Sequence, residues 1–136
     1  MPHDDDNDDA NLSGLWHGQY TYPNARPPTP FDATLLESEG SLCGSITEKS
    51  TLRPHVGRPL YAHVRGTHSG GTVSFQKTYE TDDPRYVTLD YEGRVSADFT
   101  QITGTWKTPG WSGRFVMVRA TRRATVAYRS VAESAL

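Results

Sequence analysis

Two charged residues fall on rows of side chains that otherwise read as apolar. Lys77 lies between Phe75 and Tyr79 at a spacing of two, and Glu48 continues the row Leu42, Gly44, Ile46. Residues two apart share one face of a strand, so both charges are aimed at the face that carries the hydrophobic residues. An ion on such a face costs on the order of several kcal/mol unless it is paired or neutralised. A desolvated lysine amine can serve as a base or form a Schiff base. A buried carboxyl favours its neutral form and can then give or take a proton. Lys77, Glu48 and Tyr79 are therefore the candidate catalytic set. The plainer readings are that Lys77 reaches solvent or pairs with Glu48, and that Glu48 is a strand-end carboxylate in water.

Aromatic residues surround these charges in the sequence pattern. Trp16, Tyr20, Tyr22, Phe75, Tyr91, Trp106 and Trp111 fall on the same apolar-facing rows and are the candidate ligand-binding residues. One end of each row is aliphatic, and the other acquires Tyr20, Tyr22, Glu48, Lys77, Tyr79 and Tyr91. Aromatic walls with a few polar groups at one end have the composition of a small-molecule cavity. The tyrosine hydroxyls could orient a carbonyl or phenol, or fill the space and bond to neighbours.

The elements that must position these residues are short. Eight runs alternate apolar and polar residues, at 14–22, 31–37, 41–48, 60–67, 72–80, 86–95, 101–107 and 111–120. Turn signals separate them: Ser38-Glu-Gly40, Ser69-Gly-Gly71, Asp82-Asp-Pro84, Ala97-Asp98 and Pro109-Gly110, with longer loops at 23–30 and 49–58. This is the pattern of an all-β sandwich or barrel. Short connections favour antiparallel neighbours in chain order, and eight such strands close into an up-and-down barrel that leaves no edge. A sandwich is the alternative. The inward rows are Trp16, Gly18, Tyr20, Tyr22; Phe31, Ala33, Leu35, Glu37; Leu42, Gly44, Ile46, Glu48; Val73, Phe75, Lys77, Tyr79; Val87, Leu89, Tyr91; Ile102, Gly104, Trp106; and Trp111, Gly113, Phe115, Met117. The fourth strand is ambiguous between Leu60, Ala62, Val64 and Tyr61, His63, Arg65.

Ser13-Gly-Leu-Trp16 opening the first strand, and Arg119 or Arg122 closing the last, resemble the calycin superfamily, in particular its lipocalins and avidins. Ser41-Leu-Cys-Gly-Ser-Ile-Thr47 is similar to the avidin third strand, Thr103-Gly-Thr-Trp106 to the seventh, and Trp111 precedes the last strand. The resemblance covers 12–123. It implies a Trp packed in the barrel base beneath a guanidinium, an arrangement that stacking on the indole favours. Avidins hold the ureido group of biotin with small polar residues on the first strands. This chain carries His17, Gln19 and Tyr20 there, so biotin binding does not transfer, and the later lipocalin signatures are not evident. Some calycin-like barrels act as cyclases, isomerases or decarboxylases.

The bulk numbers bound the rest. The 136 residues suffice for one domain with a core. A net charge of −2 gives no reason to expect nucleic acid or an anionic membrane. One cysteine, Cys43, excludes an internal disulfide, and nothing reads as a signal peptide, so a cytoplasmic location is the default expectation. Residues 1–11 read as a disordered acidic tail, 12–123 as the barrel, and 124–136 as a tail or short helix. The histidines lack metal-site spacing, so no metal and no cofactor are expected. Outward Val116 and Val118 motivate a homodimer or homotetramer. The expected function is a small-molecule-binding barrel with an aromatic-lined cavity for an apolar or aromatic ligand. The alternative is a small enzyme of cyclase, isomerase or decarboxylase type using the acid–base set.

Overall fold

The computed structural model describes residues 11–120, so the readings for the two tails lie outside the described residues except at Asn11, expected in the acidic tail, which is tied to the barrel by a hydrogen bond to the Glu37 carbonyl. Eight strands form in chain order: β1 (Gly14–Tyr20), β2 (Thr29–Ser38), β3 (Ser41–Lys49), β4 (Pro59–Ser69), β5 (Thr72–Tyr79), β6 (Leu89–Val95), β7 (Gln101–Thr108) and β8 (Trp111–Arg119). Each pairs antiparallel with the next, and β1 also pairs with β8, from Trp16 opposite Arg119 to Tyr20 opposite Phe115. The sheet is therefore a closed barrel without edges, as the spacing of turns requires. The sandwich alternative is set aside by the β1–β8 pairing.

Register places the apolar rows inside. Trp16, Leu35, Ile102 and Met117 are fully buried, and Leu42, Ile46, Val64, Val73, Phe75 and Phe115 nearly so. The ambiguous fourth strand turns Leu60, Ala62 and Val64 inward and Tyr61, His63 and Arg65 outward. Its pairing with β3 explains this: Ala62 lies opposite Ile46 and Val64 opposite Gly44, both already on the inward row. Small residues make room where the wall coils. A Cβ on Gly113 would collide with the Thr21 carbonyl oxygen and lie 2.5 Å from the Trp106 indole nitrogen, so only glycine leaves room there for both.

Several expected boundaries shift, three of them at the mouth by two or more residues. The first strand ends at Tyr20 rather than residue 22. The second starts at Thr29, with Pro30 opposite Gln19 at the strand's start, where a missing N–H is tolerated. The sixth starts at Leu89 rather than residue 86, because Arg85 folds back to Asp83 in a local turn, donating from its backbone and its guanidinium. Val87, expected on an inward row, precedes that strand and is 49% exposed.

The two ends of the barrel differ. At one end β2–β3, β4–β5 and β6–β7 connect through 39–40, 70–71 and 96–100. Glu39 and Gly40 both take positive φ, 52° and 82°, the geometry of a tight hairpin turn that follows strand twist. This end is plugged. Fully buried Leu12 accepts the Trp16 indole N–H through its carbonyl at 2.9 Å. The Arg119 guanidinium lies 5.4 Å from the Trp16 ring centroid and donates to the carbonyls of Ser13 and Phe99. The base therefore has the Trp–Arg arrangement that the calycin resemblance implied, with Arg119 as the cation. His68 and Glu37 bond at 2.8 Å beside it. The longer loops 21–28, 50–58 and 80–88 and the turn 109–110 gather at the opposite end, the mouth.

Candidate functional site

The residues nearest the mouth on β1, β3 and β5 bring the charged and phenolic groups together. Phe31 pairs with Glu48 across β2–β3, and Ala62 with Tyr79 across β4–β5, so both rows end at one height. Lys77 is wholly buried, and its ammonium donates a short hydrogen bond to Glu48 Oε1. Glu48 Oε2 accepts the Tyr20 hydroxyl at 2.6 Å. The Tyr79 hydroxyl lies 3.3–3.4 Å from both carboxylate oxygens. Four aromatic rings enclose the ammonium, with centroids at 4.6 Å (Tyr20), 4.7 Å (Tyr79), 5.8 Å (Phe31) and 5.9 Å (Tyr91). Their negative faces replace part of the lost hydration. The reading in which Lys77 pairs with Glu48 is the arrangement found, and the solvent-reaching reading of either residue is not.

Burial sets the protonation of this cluster. It pushes the Lys77 ammonium down from the ordinary lysine range, while the adjacent carboxylate pulls in the opposite direction. Burial, helped by the charge of Glu48, pushes the Tyr20 and Tyr79 phenols far above their ordinary range. Tyr91 is raised for the same reason. Its ring stacks on Phe75 at 4.9 Å, and its buried hydroxyl meets no hydrogen-bond partner among the described residues.

Open space begins above this cluster. A cleft of about 270 Å³ at the mouth is walled by Tyr22, Tyr86, Val87, Leu89, Trp106 and Trp111, with Tyr20 and Tyr79 at its floor and Arg26 and Arg85 at its rim. A second lobe of about 430 Å³ shares Tyr22, Arg26, Thr51 and Leu52 with it and extends along Pro27–Pro30 to Lys49. Neighbouring rings meet edge to face: Tyr22 lies 6.0 Å from Trp106 and 6.4 Å from Trp111. The loops are tied over it. Tyr86 bonds the buried Ser50 hydroxyl, its ring lies 5.0 Å from Tyr79, and Arg85 donates to the Arg53 carbonyl at 2.8 Å. Both longer loops therefore contribute to the mouth.

The expected site residues divide into three groups. Tyr20, Tyr22, Tyr79, Trp106 and Trp111 line the cleft, Trp111 as a rim residue 42% exposed rather than an interior wall. Glu48 and Lys77 lie beneath it and touch its contents only through the two tyrosines. Trp16, Phe75 and Tyr91 pack into the barrel base and middle, away from the open volume. Sequence reasoning missed Arg26 and Arg85, which carry no periodic signal, and Tyr86, which the alternation places at the start of the sixth strand and which lies instead in the loop before it. The signal was topological: in an up-and-down barrel, the loops after the first, third and fifth strands share the end at which those rows turn phenolic. Among the described residues, no group of three or more His, Cys, Asp or Glu side chains is placed to hold a metal ion.

No family model matches the chain, and no curated protein matches it in sequence. Among solved structures, a redesigned beta barrel superposes with a TM-score of 0.63 at 16% identity, covering 81% of this chain and 91% of its own. Another redesigned beta barrel, mFAP1 bound to DFHBI, gives 0.62 at 15% identity, covering 80% and 94%. At such identities the likeness shows the fold alone: an eight-stranded antiparallel up-and-down barrel.

Two expectations follow from the buried cluster. Glu48→Gln or Lys77→Met alone strands one buried charge and should lower unfolding stability by about 3–5 kcal/mol. The double variant removes both charges and should recover most of that loss in urea denaturation; additive losses would show that the two residues are not coupled. The phenols of Tyr20, Tyr79 and Tyr91 are raised in the folded state. Their contribution to stability is therefore present below the ordinary tyrosine value near 10 and is lost as pH rises above it. Absorbance titration should show three phenols still protonated at about pH 11, ionising only together with loss of near-ultraviolet circular dichroism. Free ionisation of all seven tyrosines with the fold intact would contradict this.

Proposed function

We propose that this protein is a small-molecule-binding barrel whose mouth cleft takes a small planar aromatic ligand. The observation that carries the reading is the cleft itself. Aromatic rings form its walls, and its floor presents two hydroxyls fixed by a buried carboxylate, an arrangement suited to orienting a ring with one polar atom. The Tyr20 hydroxyl spends its one proton on Glu48 and so offers an acceptor to the cleft, whereas the Tyr79 hydroxyl, 3.3–3.4 Å from the carboxylate, can turn to donate to a carbonyl or phenolic oxygen that enters. The redesigned barrel of similar fold that binds a small aromatic dye supports a ligand of this class. The volume near 270 Å³ favours a compact ligand of one or two fused rings.

Tyr79 gives specific support to a second reading, an enzyme of isomerase, cyclase or decarboxylase type. It lines the cleft and also reaches both Glu48 oxygens, so it could relay a proton between a bound substrate and the carboxylate, with Lys77 holding Glu48 in place. Turnover of a bound compound that is lost in Tyr79→Phe while binding is retained would favour this reading.

A panel of neutral one- and two-ring compounds, including indole, coumarin and 2-naphthol, tests the binding role. At least one should raise the melting temperature in a saturable way, as expected when a ligand binds only the folded state. Trp106→Ala should weaken that ligand by about tenfold or more, an aromatic wall contributing on the order of 1 kcal/mol beyond area burial. No shift with any member of the panel would contradict the proposal.

A further inference from the structure

The charge of the mouth is opposite to that of the chain. The sequence carries a formal charge of −2, yet Arg26, Arg85 and Lys49 line the two lobes of the cleft and no Asp or Glu does. Arg85 is neutralised by Asp83 at 2.6 Å. Arg26 and Lys49 make no ion pair among the described residues. Arg26 is nevertheless held in place, its guanidinium 5.6 Å from the Tyr22 ring centroid and 5.8 Å from that of Trp111. A guanidinium held over ring faces by cation–π attraction keeps N–H donors available for a two-to-two contact with a carboxylate. The floor adds no opposing charge, because Glu48 is already paired with Lys77. A positive rim above a neutral phenolic floor selects for an anion at one end of the ligand and an uncharged ring at the other.

We infer that the occupant of the cleft is an aromatic acid, with its ring among Tyr22, Trp106 and Trp111 and its carboxylate at the rim against Arg26. The inference rests on the aromatic-binding reading of the same cleft and adds the charge of the ligand. Inward-facing glutamate anchors would instead have favoured a cation.

Three probes with one ring system separate the two claims: 2-naphthoate, 2-naphthalenemethanol and 2-naphthylmethylammonium, titrated calorimetrically into the full chain. Naphthoate should bind about tenfold or more tightly than the alcohol, as expected for a charge-assisted contact, and the ammonium most weakly. Arg26→Gln should collapse the preference for naphthoate over the alcohol to less than about threefold, and rising salt should do the same. Arg114→Gln, on the outer wall, should leave the preference intact. Equal or tighter binding of the alcohol or the ammonium would overturn the aromatic-acid assignment and leave the aromatic cleft standing. A preference that survives Arg26→Gln would overturn the assigned anion site. Failure of all three probes to bind would overturn both this inference and the function on which it rests.

Discussion

The Lys77 ammonium has no route to water, and the Glu48 carboxylate is the counter-charge it meets among the described residues. Two consequences are forced by that constraint. The carboxylate must face the barrel axis at the height of Lys77, which fixes the register of β3 against β4 and β5. Its remaining lone pairs must also be filled, and the two nearest donors are the Tyr20 and Tyr79 hydroxyls. A half-satisfied buried ion pair is worse than an apolar core, so these hydroxyls are held toward Glu48 and their rings are fixed as the cleft floor. The geometry of the mouth therefore depends on a charge pair that does not itself line the cleft.

The opposite end of the barrel shows the contrast. Leu12, Trp16 and Arg119 seal the base by packing and by saturating carbonyls, and the connections there are short. The mouth has the longer loops, the aromatic cleft, and two cations, Arg26 and Lys49, that make no ion pair among the described residues. A barrel that closes its edges completely can concentrate recognition at one end, because the wall supplies rigidity without help from the loops. The middle of the barrel is filled by Phe75, Tyr91 and Phe115 rather than hollow. In the proposed binding role a ligand would rest on this solid floor instead of entering a deep cavity.

Most of the wall was legible in the sequence, and the reasons are physical. Strict alternation in Phe31–Glu37 and Leu42–Glu48 fixes the inward face, because one buried row allows only one register. The Glu48–Lys77 encounter was legible for the same reason, since both continue inward rows. Alternation failed where both rows mix apolar and polar residues, as in Leu60–Arg65, whose face is decided by its β3 partner and not by its own composition. It failed again at Tyr86 and Val87, which look like strand but are taken into a loop by the Arg85–Asp83 turn. Trp111 kept its position in the row, but the adjacent Pro109–Gly110 turn lifts it to the rim. Arg26, between turn residues, carried no periodic signal at all. The sequence could identify the floor of the site, whereas the rim depends on loop conformation that only the folded chain displays.

In the proposed role, ligand enters at the mouth and stops at the phenolic floor. The three tryptophans report on it directly, because Trp106 and Trp111 line the cleft while Trp16 is sealed in the base. Following the three indole N–H signals by nitrogen–proton correlation spectroscopy during titration with 2-naphthol is the most direct measurement. Entry at the mouth should give saturable shifts of the Trp106 and Trp111 signals with Trp16 unmoved. A Trp16 signal that shifts as far as the other two, or three signals that do not move at all, would contradict it.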